Sequence, residues 1–293
     1  MRRDLSVRVG APYELTELLE RQNQEFIFGR GRAVGFESRF PDLFSRDRPH
    51  FAMELRDSAD ELLAGLTVKR GLIRTQDYGT LSAAMIGGVW VTPARRGMGL
   101  GSELMGRLHS ELLHKQTSIA VLWSRKHEFY SRNGWTLADE GVSGVLTNAT
   151  PGTAEELDHA NSQNERNENC GWIRCPLDST NIPIPADTAG RMRSKRDSNS
   201  YWLVSTVANQ GFAHEFQGDL NHAAPLLSTF AESCARLTIN THLNRPEFPV
   251  IREHLRDVTW SRQDLTHWWR SPQLSHIPDR YLALLPISFL DRF

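Results

Sequence analysis

Residues 86–101 have the residue types and the spacing that suit a binding site for an anion. An apolar stretch rich in β-forming residues ends at a proline, and glycine then occupies every second position from Gly97 to Gly101. Leucine recurs at every fourth position from Leu104 to Leu112. This pattern predicts a strand, a glycine turn and an amphipathic helix in direct succession.

The predicted junction between the turn and the helix is suited to a phosphate group. The first backbone N–H groups of a helix have no partners within it, and the helix dipole attracts anions to that end. Glycines remove the Cβ atoms that would keep a phosphate at a distance, and arginines add positive charge. We therefore predict a pyrophosphate site made by Arg95, Arg96, Gly97, Met98, Gly99, Leu100, Gly101 and Ser102.

Other phosphate-binding motifs fit this stretch less well. No Gly-Lys-Ser/Thr follows, which excludes the P-loop of nucleotide hydrolases. The dinucleotide fingerprint lacks the arginine and needs an acidic residue after a second strand. A tight turn in an ordinary α/β domain is the alternative interpretation.

A second group of motif residues follows the next predicted strand, residues 119–123. Together the two stretches resemble the GNAT acyl-CoA N-acyltransferases. The cofactor motif of that family, Arg/Gln-x-x-Gly-x-Gly/Ala, is matched by Arg96, Gly99 and Gly101. Its later motif, Phe-Tyr-x-x-x-Gly-aromatic, is matched by Phe129, Tyr130, Gly134 and Trp135.

The resemblance implies a reaction in which a primary amine attacks the thioester of acetyl-CoA directly. The strand before the turn (Val89, Trp90 and Val91) would offer backbone groups to the pantetheine arm, and the turn amides would bind the pyrophosphate. Such catalysis is mostly positioning and stabilisation of the developing oxyanion. A general base must take the ammonium proton, and a general acid must protonate the leaving thiolate. Tyr130 occupies the position of the family's acid.

The second half of the chain repeats the element order of the first. Strands are predicted at 201–207 and 211–216, a helix after Gly218, a strand at 237–240 and a helix at 248–255. We interpret this half as a degenerate copy of the same fold, because neither motif recurs in it. The arrangement resembles the enhanced intracellular survival family, which acetylates amines of aminoglycosides and lysines, but without that family's third, sterol-carrier-like domain.

The sequence leaves the identity of the general base open. Glu54, Glu25 and His127 have suitable chemistry, and Glu54 falls on the second predicted strand. In the enhanced intracellular survival family the terminal carboxylate of the chain serves as the base. The resemblance implies that the carboxylate of Phe293 would take that role here, unless the tail only packs on the second domain.

Composition limits the classes of function. The 293 residues are 39% hydrophobic and 24% charged with a net charge of −1, as in a soluble globular protein. That charge offers no overall field for nucleic acid or an anionic membrane, and no apolar run approaches a membrane span. The N-terminus lacks the apolar core of a signal peptide, and three cysteines form no disulfide framework. We expect a cytoplasmic protein. No metal is expected, since Cys170 and Cys175 lack further zinc ligands. The sequence leaves open whether the chain forms a homo-oligomer.

We predict a two-domain α/β (α+β) protein. Residues 1–146 would form a catalytic GNAT fold, with a mixed and mostly antiparallel sheet and flanking helices. Residues 147–199 would be a polar connecting segment, and 200–293 the degenerate domain with a C-terminal tail. The predicted activity is acetyl transfer from acetyl-CoA to a small-molecule amine or a lysine. A non-catalytic acyl-CoA-binding regulator is the alternative, and a nucleic-acid-associated protein using the basic run 191–196 is a third class.

Overall fold

The computed structural model describes residues 4–31, 33–147, 171–173, 188–197, 199–207, 210–242, 247–255 and 258–283. These residues form two compact units. Unit 1 contains the described residues up to 137 together with 267–278. Unit 2 contains those between 138 and 266 together with 279–283.

The strands and helices alternate along the described chain. The strands are β1 (Ser6–Gly10), β2 (Phe51–Arg56), β3 (Leu62–Thr75), β4 (Gly79–Val91), β5 (Ile119–Ser124), β6 (Thr136–Thr147), β7 (Gly171–Ile173), β8 (Thr188–Arg193), β9 (Tyr201–Val207), β10 (Gln210–Gln217), β11 (Arg236–His242) and β12 (Thr259–Arg270). The helices are α1 (Thr16–Phe26), α2 (Phe36–Arg39), α3 (Leu100–His114), α4 (His127–Arg132), α5 (Leu220–Glu232), α6 (Glu247–His254) and α7 (Asp279–Ala283).

The first four strands of unit 1 form an antiparallel meander. β1 pairs with β2, β2 with β3 and β3 with β4, all antiparallel. β5 then lies parallel to β4, as expected where α3 connects them as a crossover. The end of β12, residues 267–270, lies beside β5 in the same unit. A mixed, mostly antiparallel sheet with flanking helices is therefore confirmed.

The core of unit 1 fixes α1 and α3 on opposite faces of this sheet. Leu104, Leu108 and Leu112 of α3 are 0% exposed and pack in one cluster with Met53 of β2. Leu18 of α1 packs instead with Ala52, the neighbour of Met53. Successive residues of a strand point to opposite faces, so the two helices cover different sides. Each buried leucine contributes about 1.5–3 kcal/mol, which anchors the start of α3 at the end of β4.

Unit 2 confirms the predicted order of elements in the second half. β9 and β10 are an antiparallel pair, and α5 connects β10 to the parallel strand β11. α6 follows β11, and β6 pairs antiparallel with β11. The parallel pair joined by a helix repeats the relation between β4 and β5 in unit 1.

The structure places two segments differently from the sequence expectation. Residues 188–193, expected within the connecting segment, form β8 and pair with β9, because Met192 is buried in the unit 2 core. Residues 267–278, expected in the second domain, belong to unit 1. Phe293, Cys170 and Cys175 lie outside the described residues. Within the described ranges, the helices are too short or too polar to cross a membrane.

Candidate active site

A β-bulge interrupts β4 just before the glycine turn. Thr67 of β3 pairs with Gly87, whereas Gly65 pairs with Trp90, so β4 has one residue more than β3 in this interval. Gly88 lies in the bulge with a φ of 57°. Only glycine adopts that conformation without steric cost, which explains the residue type at this position.

A buried glutamine of α1 holds the bulge in place. The Nε2 atom of Gln22 donates to the carbonyl oxygen of Gly88 at 2.8 Å. The Oε1 atom of Gln22 accepts from the hydroxyl of Thr67 at 3.1 Å, and the side chain is 2% exposed. Sequence reasoning missed Gln22, because a polar residue on an amphipathic helix ordinarily marks the solvent side.

The parallel strands β4 and β5 separate toward their carboxyl ends. Their pairing joins residues 83–85 to residues 119–121. β4 nevertheless continues to Val91 and β5 to Ser124. The gap between the two strand ends lies next to Val89, Trp90 and Val91, the residues predicted to contact the pantetheine arm.

The turn after β4 presents an open helix end. Gly97 and Gly99 have φ angles of 78° and 83°, and a Cβ atom built on either would meet no heavy atom within 4 Å. The backbone N–H of Glu103 bonds the carbonyl of Gly99 at 3.0 Å, while the N-cap, Gly99, has no capping side chain. The N–H groups that precede Glu103 in the first turn of α3 therefore point out of the helix end. These are Leu100, Gly101 and Ser102.

The two sequence motifs meet at one point. A Cβ atom on Gly101 would lie 3.1 Å from Cζ of Phe129, so glycine at this position eases the close approach of α3 to the Phe129 ring. The Phe129 ring in turn meets Tyr130 edge-on, with ring centroids 4.9 Å apart. The glycine turn and the aromatic motif therefore form a single packed arrangement.

Arg96 is held at the open helix end. Its Nε donates to the carbonyl of Val91 at 3.1 Å, and one terminal nitrogen lies 3.0 Å from Oε1 of Glu25. The Arg96 side chain is still 50% exposed, so part of its guanidinium faces solvent. Arg95 and Met98 are also exposed.

Tyr130 is buried near the carboxyl end of β5. The residue is 6% exposed, and its hydroxyl is hydrogen-bonded to Ser124, the last residue of β5. Burial raises the pKa of Tyr130 to about 12, because the phenolate would lose its solvation. The hydroxyl therefore carries its proton at neutral pH and is able to donate it.

Two histidines pack next to Tyr130. Nδ1 of His127, at the start of α4, lies 3.3 Å from Nε2 of His267 on β12. The His267 ring is 5.4 Å from the Tyr130 ring and the residue is 0% exposed. His127 was among the sequence candidates for a base, whereas His267 was missed because it lies 140 residues further along the chain.

Glu54 is committed to an ion-pair cluster. Its Oε2 accepts from Nε of Arg56 at 2.8 Å and lies 3.7 Å from a terminal nitrogen of Arg8. Arg56 also pairs with Glu17 at 2.7 Å, and the hydrogen bond that Arg56 donates to Glu54 raises the pKa of Arg56. Glu54 is 1% exposed. These contacts favour a structural role for this carboxylate.

Among the described residues no group of three or more His, Cys, Asp or Glu side chains is arranged to hold a metal ion.

The comparison with known families agrees with this geometry. Residues 15–138 match the family model described as "Acetyltransferase (GNAT) domain". Unit 1 therefore has the GNAT fold. The matched range ends close to the end of the continuous part of unit 1, at residue 137. Among curated proteins no match to the sequence was found.

Solved structures share the fold over most of the chain at low identity. A conserved protein of Enterococcus faecalis V583, described as a probable N-acyltransferase, has a TM-score of 0.65 at 16% identity, over 90% of this chain and 72% of that one. Eis1 of Mycobacterium abscessus has a TM-score of 0.59 at 11% identity, over 91% of this chain and 73% of that one. A tandem GNAT protein from the clavulanic acid biosynthesis pathway has a TM-score of 0.55 at 10% identity, over 91% of this chain and 98% of that one. At such identities the likeness concerns the fold.

The start of α5 in unit 2 differs from the open helix end of α3 in unit 1. The N-cap of α5 is Asp219, whose carboxylate accepts from the backbone N–H of Asn221 at 2.9 Å. The backbone N–H of Asp219 itself donates to the hydroxyl of Ser200 at 2.8 Å. A carboxylate at this position repels a phosphate, whereas the corresponding N-cap in unit 1 is a glycine.

Proposed function

We propose that the GNAT domain of unit 1 is an N-acetyltransferase that moves the acetyl group of acetyl-CoA to a primary amine by direct attack. One observation carries this proposal. An open, arginine-bearing helix end follows a bulged strand, and a buried, protonated tyrosine stands beside the gap between that strand and its parallel neighbour. These three features correspond to an anion site, a slot for an extended arm and a proton donor.

The residues present fit acetyl-CoA. The space above Gly97 and Gly99 is large enough for a phosphate to approach the backbone. The N–H groups at the start of α3 and the guanidinium of Arg96 supply donors and charge for the pyrophosphate. The edge of β4 at Val89, Trp90 and Val91 supplies peptide groups for the amide-containing pantetheine arm. Acetyl-CoA itself supplies the activated acetyl group as a thioester.

Tyr130 is the proposed general acid. Its proton is retained at neutral pH, and Ser124 provides a hydrogen-bond donor that would stabilise the transient phenolate. The carboxylates proposed as bases from the sequence include Glu54 and the terminal carboxylate of Phe293. Glu54 is buried and paired with Arg56 and Arg8. The terminal carboxylate of Phe293 is retained as a proposal, although that residue is not among those described.

The acceptor is proposed to be an amine of a small molecule or a lysine side chain. The fold likeness to a tandem GNAT protein and to Eis1 supports a tandem arrangement with one active unit. Asp219 at the start of α5 supports assigning the cofactor to unit 1 alone. The Eis-like arrangement is part of the same proposal.

The first experiment combines binding and turnover. Calorimetry with acetyl-CoA should show one site per chain, and CoA release should be tested with aminoglycosides, polyamines, amino acids and a lysine peptide. Turnover with one class would identify the acceptor. Binding at one site without turnover across the panel would favour the non-catalytic acyl-CoA-binding regulator. Failure to bind acetyl-CoA would overturn the proposal.

A further inference from the structure

Three aromatic rings form a continuous stack beside the proposed proton donor. His127 and His267 lie with ring centroids 5.5 Å apart and planes inclined by 27°. His267 lies with its ring centroid 5.4 Å from that of Tyr130. His127 and Tyr130 are three residues apart on α4, which places both on one side of the helix. We call His127, His267 and Tyr130 the ring stack.

The two histidines share a proton between defined atoms. A hydrogen bond between Nδ1 of His127 and Nε2 of His267 at 3.3 Å requires one nitrogen to carry hydrogen and the other to accept it. If Nδ1 of His127 carries it, then Nε2 of His127 is left with a free lone pair. That tautomer makes His127 a base, because the position of one proton decides which nitrogen remains basic.

Burial divides the roles within the pair. His267 is 0% exposed and takes the acceptor role in this tautomer. His127 is only partly buried and is reached by solvent. When His127 gains a proton, its bond to the neutral His267 becomes charge-assisted and therefore stronger.

The other candidate bases of the described chain are held by cations. The carboxylate of Glu54 lies 2.8 Å from Nε of Arg56, and that of Glu25 lies 3.0 Å from a terminal nitrogen of Arg96. Each of these carboxylates is therefore engaged in an ion pair. The ring of His127 instead lies against that of His267.

We propose that His127 is the general base of the acetyl transfer and that His267 is the residue that positions it. The inference rests on the proposed function and assigns its proton acceptor to His127 in place of the carboxylate of Phe293. Nε2 of His127 takes one proton from the acceptor ammonium, directly or through one water. The amine nitrogen then forms a bond to the acetyl carbon while the bond from that carbon to sulfur breaks. Tyr130 protonates the departing thiolate and regains a proton from the newly acylated nitrogen, so the net proton remains on His127 and leaves to solvent.

The proposal gives β12 a catalytic purpose. Residues 267–270 belong to unit 1 and lie beside β5, at whose end Tyr130 is bonded to Ser124. The strand places a histidine from late in the chain against a motif that lies 140 residues earlier. Neighbouring charged groups on these elements are Lys126 and Glu128 beside His127, and Arg270 on β12.

The test compares variants that keep shape and differ in chemistry. His127→Asn keeps a donor near the Nδ1 position and removes the base, and kcat should fall by about 100-fold or more, the usual contribution of a general base. The activity of the native enzyme should decline toward acid pH, and His127→Asn should lose that decline.

His267→Phe keeps the ring and removes the acceptor, whereas His267→Gln restores an oxygen near the Nε2 position. Activity should fall in His267→Phe and recover at least partly in His267→Gln. His114→Gln is the control, since that histidine of α3 has an 80% exposed side chain and should have native activity.

Acetyl-CoA binding separates this inference from the proposed function. Calorimetry should give the same dissociation constant for His127→Asn as for the native protein, and addition of imidazole should restore part of the activity of His127→Ala. Nitrogen-15 NMR of the histidine rings should show Nδ1 of His127 protonated at pH 8, a readout that needs no acceptor. Native kcat and an unchanged pH profile in His127→Asn would overturn the inference while leaving an active acetyltransferase. Protonation of His127 on Nε2 would also overturn it, even if the His267 variants failed to fold.

Discussion

Gln22 of α1 donates its side-chain N–H to the carbonyl of Gly88 in the bulge of β4, at 2.8 Å. The same amide accepts from Thr67 of β3, so one buried side chain links α1 to both strands that frame the bulge. The bulge in turn determines the direction in which Val91 leads into the glycine turn. The position of the proposed pantetheine slot therefore depends on a residue outside both sequence motifs.

Replacing Gly88 by alanine should disturb this arrangement. A Cβ atom there would lie 2.4 Å from Nε2 and 2.8 Å from Cδ of Gln22, and φ at Gly88 is 57°. We expect the free energy of unfolding to fall by about 1–3 kcal/mol, the usual range for strain of this kind. We also expect acetyl-CoA binding to weaken. Gly79→Ala is the matched control, because Gly79 has a φ of 67° with no atom within 4 Å of the added carbon. Urea unfolding and calorimetry should show a larger loss for Gly88→Ala; equal losses would mean that Gln22 does not hold the bulge.

Arg96→Gln should weaken acetyl-CoA binding about tenfold. The guanidinium stands at the start of α3 with half of its side chain exposed, and a charge-assisted contact to phosphate is worth roughly 1.5–3 kcal/mol. Arg107→Gln removes an equally exposed arginine from the same helix, where it pairs with Glu103, and should leave binding unchanged. Calorimetry at two salt concentrations should also show a smaller salt effect in Arg96→Gln. Identical affinities in the two variants would remove Arg96 from the pyrophosphate site.

Stability should fall in mild acid because of His109. Burial lowers the pKa of His109 from 6.5 to about 4, where it lies stacked on Trp269. The unfolded chain takes up this proton below pH 6.5 and the folded chain does so only near pH 4. The free energy of unfolding therefore has its full value above pH 6.5. It decreases by up to about 3 kcal/mol as the pH falls toward 4. His109→Phe should make urea unfolding less dependent on pH across this window, and His114→Gln should not; an unaltered slope in His109→Phe would contradict the assignment.

Asp219→Ala tests whether unit 2 has a second cofactor site. Loss of the N-cap side chain should lower the stability of α5 by about 1 kcal/mol, because Asn221 loses its acceptor. The number of acetyl-CoA sites should stay at one, since the arginine-glycine motif is absent before α5. Thermal unfolding measures the loss of stability, and calorimetry measures the number of acetyl-CoA sites. A second molecule of acetyl-CoA bound by native protein would contradict the assignment of the cofactor to unit 1 alone.

Local patterns in the sequence predicted the elements whose partners are near in the chain. The meander β2 to β4, the glycine turn and the apolar face of α3 all follow from periodicity and turn chemistry. β12 was not predicted, since Trp268 and Trp269 are both buried and the strand has no clean alternation. Its neighbour β5 is also far away in the chain, and no local signal encodes such a pairing. For the same reason His267 could not be placed beside His127 in advance.

Burial of polar residues is the other feature that the sequence did not predict. Gln22 and Glu54 are 2% and 1% exposed, and each is satisfied by contacts from different elements. From the sequence Glu54 had suitable chemistry for a base. The structure shows that Arg56 and Arg8 surround its carboxylate, a fact that depends on the pairing of β1 with β2. Residue type alone does not distinguish a reactive carboxylate from a paired one.

The most direct test of acetyl transfer by unit 1 is kcat for CoA release in Tyr130→Phe, measured with the acceptor that turns over in the panel. The variant keeps the buried ring and removes only the proposed proton donor. The account predicts a fall in kcat of about 100-fold or more with acetyl-CoA affinity unchanged. Tyr78→Phe, in the turn between β3 and β4, should have native activity. Native kcat in Tyr130→Phe would contradict the assignment of Tyr130 as the acid and with it the proposed arrangement of the active site.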